Sequence, residues 1–157
     1  MNGRRCTASA TSYKNHVYVM GGYQAGGRCG GIERYDELKN KWFIIPLSLE
    51  VPIEASIICH LTDNEIILLG GKDQYMEQKY CTVYDLESCT ASQKPQMNFK
   101  HVLGKGAKHM NSLVVIGGSS NYNIERCDIS NWKWEDCGQI RIMPSKEFSK
   151  TSFAQSF

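Results

Sequence analysis

The sequence predicts an all-β chain assembled from internal repeats, and three observations lead there. A double glycine closes an apolar tetrad three times, in "VYVMGG" ending at Gly22, "IILLGG" ending at Gly71 and "LVVIGG" ending at Gly118, at spacings of 49 and 47 residues. An asparagine (Asn15, Asn64, Asn111) stands before each apolar run. Asparagine tolerates positive φ and favours tight hairpin turns, so each one can reverse the chain into the run that follows. The turn-rich spacing leaves no room for a helix of about ten residues or more.

Each unit divides into four short strands. In the first they run roughly over Cys6–Ser12, His16–Met20, Gly31–Tyr35 and Lys41–Ile45. The first strand belongs in a crowded place, because one column holds Ala10, Cys59, Gly106 and Ser152, small in every copy. The second, an apolar tetrad without alternation, suits a strand buried on both faces. It stops at Gly21-Gly22, Gly70-Gly71 and Gly117-Gly118, where a sharp, closely packed backbone leaves no room for a side chain. In the first unit a pliable loop, Gly26 to Gly31, then leads into the third strand. That strand carries "IERYD", "CTVYD" or "IERCD", with Tyr35 and Tyr84 as packing residues. Asp36, Asp85 and Asp128 end it as turn residues that can hydrogen-bond their local backbone. The fourth strand has Trp42 and Trp134 six residues after Asp36 and Asp128, with Ala91 in the middle copy. Upstream, Met1-Asn2 and Met97-Asn98 occupy equivalent places, and "MPSKEF" from Met143 opens a further unit, with Lys146 where the others have Arg4 and Lys100.

A double glycine after an apolar strand, then Tyr-Asp, then Trp, on a period of about 50 residues, resembles the kelch repeat. The resemblance runs over essentially the whole chain. It implies a β-propeller in which each repeat forms one four-stranded antiparallel blade, with the aromatics packed between blades. Residues 1–157 would then be a partial propeller, with blades at about 1–46, 47–95 and 96–139 and the first strand of a fourth within 143–157. An open stack of blades leaves an apolar face bare at each end. The expectation is therefore that further blades come from a longer chain or from another subunit.

Composition narrows the partners. A net charge of +2, with 22% charged and 41% hydrophobic residues, gives no electrostatic case for nucleic acid or an anionic membrane. Apolar runs such as Ile66–Leu69 are too short to span a bilayer. The N-terminal "MNGRRCTASATSYKNH" has arginines without an apolar stretch behind them, so it does not resemble a signal peptide. Seven cysteines, an odd number with no C-x-x-C pair, suit reduced, buried small hydrophobes in a cytoplasmic protein. No metal or other cofactor is expected. No G-x-G-x-x-G fits "GGYQAGGRCGG", and "VLGKGAKH" has Gly106 where a P-loop has its serine or threonine.

No catalytic residue stands out. The four histidines (16, 60, 101, 109) scatter, and Cys59 and His60, adjacent in a strand, point to opposite faces. Tyr13, Tyr35, Tyr84 and Tyr122 suggest packing before copper chemistry. The leading expectation is a non-catalytic protein–protein interaction module. The resemblance implies roles such as a ubiquitin-ligase substrate adaptor or a cytoskeletal scaffold. The loops 23–28, 72–77 and 119–123 share a face with the connections 46–54 and 94–101. Tyr23, Arg28, Lys72, Tyr75 and Tyr122 on that face are the candidate partner-binding residues, because tyrosine and arginine anchor interfaces. The basic run Lys100, Lys105, Lys108 could hold an acidic peptide. The alternatives are an enzyme on the same fold, a metal oxidase or small-molecule isomerase, or a structural component of a large assembly.

Overall fold

In the computed structural model, which describes residues 1–119 and 121–141, each repeat folds into one four-stranded antiparallel sheet. The first sheet pairs β1 (Ser9–Tyr13), β2 (His16–Met20), β5 (Gly31–Asp36) and β6 (Lys41–Ser48) in that order. Between its second and third strands sits a small hairpin, β3 (Tyr23–Gln24) with β4 (Gly27–Arg28). The second sheet has β7 (Ile57–His60), β8 (Glu65–Leu69), β9 (Cys81–Asp85) and β10 (Thr90–Gln93). The third has β11 (Lys105–His109), β12 (Ser112–Ile116), β13 (Asn123–Asp128) and β14 (Lys133–Gln139). There is no helix among the described residues. The segment 143–157, with Met143, Lys146 and Ser152, lies outside the described residues apart from this sequence reading.

The unbroken apolar tetrads have a direct structural cause. Along β8, Ile66 and Leu68 pack with Tyr18, Met20 and Ile32 of the first sheet. Ile67 and Leu69 point the other way and pack with Leu113, Val115 and Cys127 of the third. One strand thus feeds two cores, and each fully buried aliphatic side chain contributes about 1.5–3 kcal/mol.

Neighbouring sheets are joined by hydrogen bonds that recur one repeat apart. Gly22 N donates to Ile53 O at 2.9 Å and Gly71 N to His101 O at 2.7 Å. Ala55 N donates to Thr7 O, and Leu103 N to Ala55 O, both at 2.8 Å. The glycines make this approach possible. A Cβ on Gly21 or Gly70 would collide with the carbonyl of Ile53 or His101, and both glycines have φ near +60°.

Several local expectations change. The positive φ of the hairpins belongs to Lys14 (50°) and Met110 (49°), one residue before the asparagines. The asparagines serve through their carbonyls, which accept from Glu37 N, Leu86 N and Ile129 N at 2.8–2.9 Å and tie the first turn of each sheet to the last. The middle hairpin is one residue longer, running through Thr62, Asp63 and Asn64. That extra residue shifts the small-residue column to Ala10, Ile58 and Gly106, because Ala10 pairs with Val19, Ile58 with Leu68 and Gly106 with Val115. Crowding still holds at Gly106, where a Cβ would meet Ile57 at 2.6 Å. The first strand starts at Ser9, while Cys6 forms an isolated bridge with Tyr23.

Trp134 is buried between the second and third sheets and donates its indole N–H to Pro95 O at 3.0 Å. Trp42 differs from expectation. It packs on Tyr35, ring centres 5.2 Å apart, on the outer face of the first sheet, and is only half-buried.

Candidate functional site

The β2–β5 and β8–β9 loops emerge side by side at one end of the strands. Gly27 at φ 120° lets the chain double back so that Tyr23 pairs with Arg28. Arg28 then reaches into the next repeat. Its Nη2 donates to Glu54 Oε1 at 2.5 Å and its Nε to Lys72 O at 3.2 Å. In the second loop Asp73, almost fully buried, accepts from Tyr75 N at 2.8 Å, Met76 N at 2.9 Å and Gln78 Nε2 at 2.7 Å. The Met76 amide, helped by those of Tyr75 and Gln78, outweighs burial and holds the Asp73 carboxyl below the usual aspartate range. Both loops are therefore pinned by their own polar groups. Between them opens a cleft of about 380 Å³, lined by Tyr23, Arg28, Val51, Pro52 and Tyr75.

Three of the five predicted partner-binding residues thus converge. Tyr23 is 44% exposed and Tyr75 80%, so both rings present surface to solvent. Lys72 contributes its backbone carbonyl to Arg28 and does not line the cleft with them. Tyr122, 53% exposed, stands one repeat further on, beside a smaller cleft of about 230 Å³ lined by residues such as Phe99, Lys100 and Asn121. Glu54 and Asp73 were not singled out from the sequence. Glu54 matches the charge of Arg28, so the cleft is less cationic than its arginine suggests.

The frame residues hold the rest. Asp85 accepts from Glu87 N and Ser88 N, Asp128 from Ser130 N and Asp36 from Lys39 N, all within 2.9–3.1 Å. Burial pushes the Tyr84 hydroxyl up to about 12.

Cys59 and His60 do not form a catalytic dyad. Cys59 faces the third sheet, whereas His60 stacks on Tyr13 of the first at 3.8 Å. Burial pushes the thiols of Cys59 and Cys127 up to about 11 and that of Cys81 to about 12, away from the reactive thiolate. All seven cysteines are free. Among the described residues no group of three His, Cys, Asp or Glu could hold a metal ion, and no helix is long and apolar enough to cross a membrane. The basic run separates: Lys100 lies at the loop end and Lys108 at the opposite, turn end.

Residues 4–46 match the family model described as Kelch motif, so the first repeat is a kelch motif, and the later two reproduce its strand order and its double glycine. Among solved structures, the one titled "Structure of YjhT", a kelch-type propeller, aligns with a TM-score of 0.74 over 87% of this chain and 52% of that one, at 12% sequence identity. At that identity the likeness concerns the fold, and this chain spans about half the length of that structure. No curated protein matches.

Proposed function

We propose that this chain is a non-catalytic, cytoplasmic protein-interaction module that presents its loop face to a protein partner, as substrate adaptors and cytoskeletal scaffolds do. The observation that carries the reading is the cleft shared by two repeats, with Tyr23, Arg28 and Tyr75 around it. Rigid loops on a β scaffold bind with little ordering cost, and aromatic anchors bury large area while keeping a polar end. The net charge of +2 favours a protein partner over nucleic acid or a membrane.

The same reading includes an open propeller of three blades and the first strand of a fourth, with further blades supplied by a longer chain or another subunit. Its support is the repeat itself: Ala55 O and Gly71 N of the second sheet bond across to the third, and a next blade would meet Leu103 O and Gly118 N in the same way.

A photo-crosslinking residue at Tyr75, compared with one at Leu38, tests the loop face. Both positions are 80% exposed, but Leu38 lies on a turn at the other end of the strands. A discrete protein adduct is expected at position 75 alone. It should be lost in Tyr23→Ala and Arg28→Ala variants that melt as the parent does. Equal labelling at both positions would refute the reading, and a redox metal in the purified protein would favour the oxidase rival.

A further inference from the structure

A second concave surface lies at the turn end of the strands, remote from the loop cleft. Between the second and third sheets a cleft of about 360 Å³ has Leu61, Val83 and Ile129 within it, Trp132 as one wall and Lys94 and Lys108 beside it. It shares Leu61, Lys108 and Met110 with a neighbouring hollow of about 410 Å³ that Tyr13 and His60 bound. The two form one groove across the turn face.

Three observations mark this groove out. The first is Trp132. It closes a four-residue turn, as Asn40 and Cys89 do in the other sheets, and all three adopt the left-handed region, at φ 57°, 48° and 54°. Asparagine suits that place, whereas a bulky aromatic does not. Here the indole stands half-buried at the groove with Lys94 Nζ 5.2 Å from its ring centre.

The second is Met110, which holds φ 49° at a tight hairpin and is 81% exposed beside the apolar floor.

The third is the charge balance. Asp63 is already engaged by Lys14 and Tyr13, and Glu65 accepts from the Thr62 hydroxyl. Among the described residues Lys108 has no partner and Lys94 rests only on the Trp132 ring, so the surplus is positive. In the adjoining hollow both ring nitrogens of His60 are buried without a hydrogen-bond partner.

We propose that this groove docks an extended acidic peptide segment carrying an apolar side chain. The apolar side chain enters the cleft against Trp132 and Met110, and flanking carboxylates meet Lys94 and Lys108. Apolar burial supplies the affinity and the two lysines the selectivity. The proposal is independent of the loop-face reading, because the groove shares no residue with the loop cleft.

Three six-residue probes, acetyl-ELEELE-amide, acetyl-ESEESE-amide and acetyl-KLKKLK-amide, together with inorganic phosphate, test it by nuclear magnetic resonance of the intact chain. The first peptide is expected to shift the Trp132 indole and Met110 methyl signals, binding at least about fivefold tighter than the other two peptides, with phosphate leaving both signals in place. Lys94→Gln with Lys108→Gln should weaken it about fivefold while the rest of the spectrum stays unchanged. Trp132→Asn, which restores the residue found at Asn40, should keep the fold and abolish the effect. Equal response to all three peptides, shifts confined to Tyr23 and Tyr75, no shift at millimolar peptide, or a phosphate response matching the peptide's would each overturn the proposal.

Discussion

His101 Nε2 lies 2.8 Å from Glu125 Oε1, and both side chains are wholly buried. The histidine's other nitrogen, Nδ1, donates to Gly117 O at 2.5 Å, so the pair clamps the double glycine of the third repeat to β13. The first repeat does the same with Arg5, which bonds Glu33 at 2.5 Å and Gly21 O at 3.0 Å. In the middle repeat the equivalent positions hold Ile53, almost fully buried in the core between the first and second sheets, and Thr82. One junction thus has two solutions, a buried polar pair and a buried apolar side chain.

Glu125 also accepts from Asn98 N at 2.8 Å and Phe99 N at 3.2 Å. Glu125→Ala is expected to cost about 3–5 kcal/mol, because it orphans a buried histidine and two backbone donors. The double replacement His101→Ile with Glu125→Thr copies the middle repeat and should cost less than the single Glu125 change. Urea unfolding of His101→Ile, Glu125→Thr and the double closes the cycle. A double variant as unstable as the sum of the singles would mean the two junctions are not interchangeable.

The two repeat tryptophans should separate. Trp134→Ala removes a buried indole and its bond to Pro95 O, so a loss of about 3–5 kcal/mol is expected. Trp42→Ala removes a half-buried ring packed at a tilt against Tyr35, worth about 1 kcal/mol. Thermal melts compare them. Equal losses would indicate that something covers the outer face of the first sheet.

That difference marks what the sequence could carry. The strands, their order and the double glycines were legible because burial on two faces and a close backbone approach each leave an unmistakable residue pattern. Trp42 and Trp134 occupy the same column, so no pattern in the chain distinguishes a covered aromatic from an uncovered one. The site was half legible. Tyr23, Arg28 and Tyr75 could be placed in equivalent loops, but the ion pair of Arg28 with Glu54 depends on how neighbouring sheets are splayed. The His101–Glu125 pair left a faint signal: Glu33 and Glu125 share a column of "IERYD" and "IERCD", but their partners Arg5 and His101 differ and the middle copy has Ile53 and Thr82.

The double glycine of the third repeat gives a test of the proposed fourth blade. In Gly70→Ala the new Cβ collides with the His101 carbonyl, so a severe loss, above about 3 kcal/mol, is expected. Gly117 has the same backbone, φ 59°, but among the described residues a Cβ there meets Ile140 Cδ1 at 3.0 Å and Asn121 O at 3.8 Å, with no carbonyl as close as that of His101. The first strand of a fourth blade proposed for 143–157 would supply such a carbonyl, so Gly117→Ala is expected to cost as much as Gly70→Ala. Light scattering accompanies the melts, because an open stack, as proposed, would drive self-association of the purified chain. A stable, compact monomer would contradict the open stack, and a Gly117 cost of only about 1–2 kcal/mol, the left-handed strain alone, would mean that no fourth strand packs against it.

Acid should loosen the loop cleft through Asp73. The Met76 amide, with the Tyr75 amide and the Gln78 side chain, holds its carboxyl below the ordinary aspartate value of 3.8 in spite of burial. A folded value below the unfolded one means the carboxylate stabilises the fold. That contribution is fully present above the unfolded value and fades as pH falls through the folded one. Asp73→Asn keeps the size of the side chain but forfeits the charge-assisted bonds to Tyr75 N and Met76 N. The variant should therefore melt below the parent at neutral pH, and the gap should close as pH falls through the folded value of Asp73, where its carboxyl becomes neutral like the amide. Asp85 and Asp128, which are also held low by their turns, titrate in both proteins and cancel from the comparison. The Tyr75 amide signal should move with the same midpoint, since its hydrogen bond ends on the titrating oxygen. A gap in melting temperature that stays constant from neutral to acid pH would show that Asp73 holds the loop by shape alone.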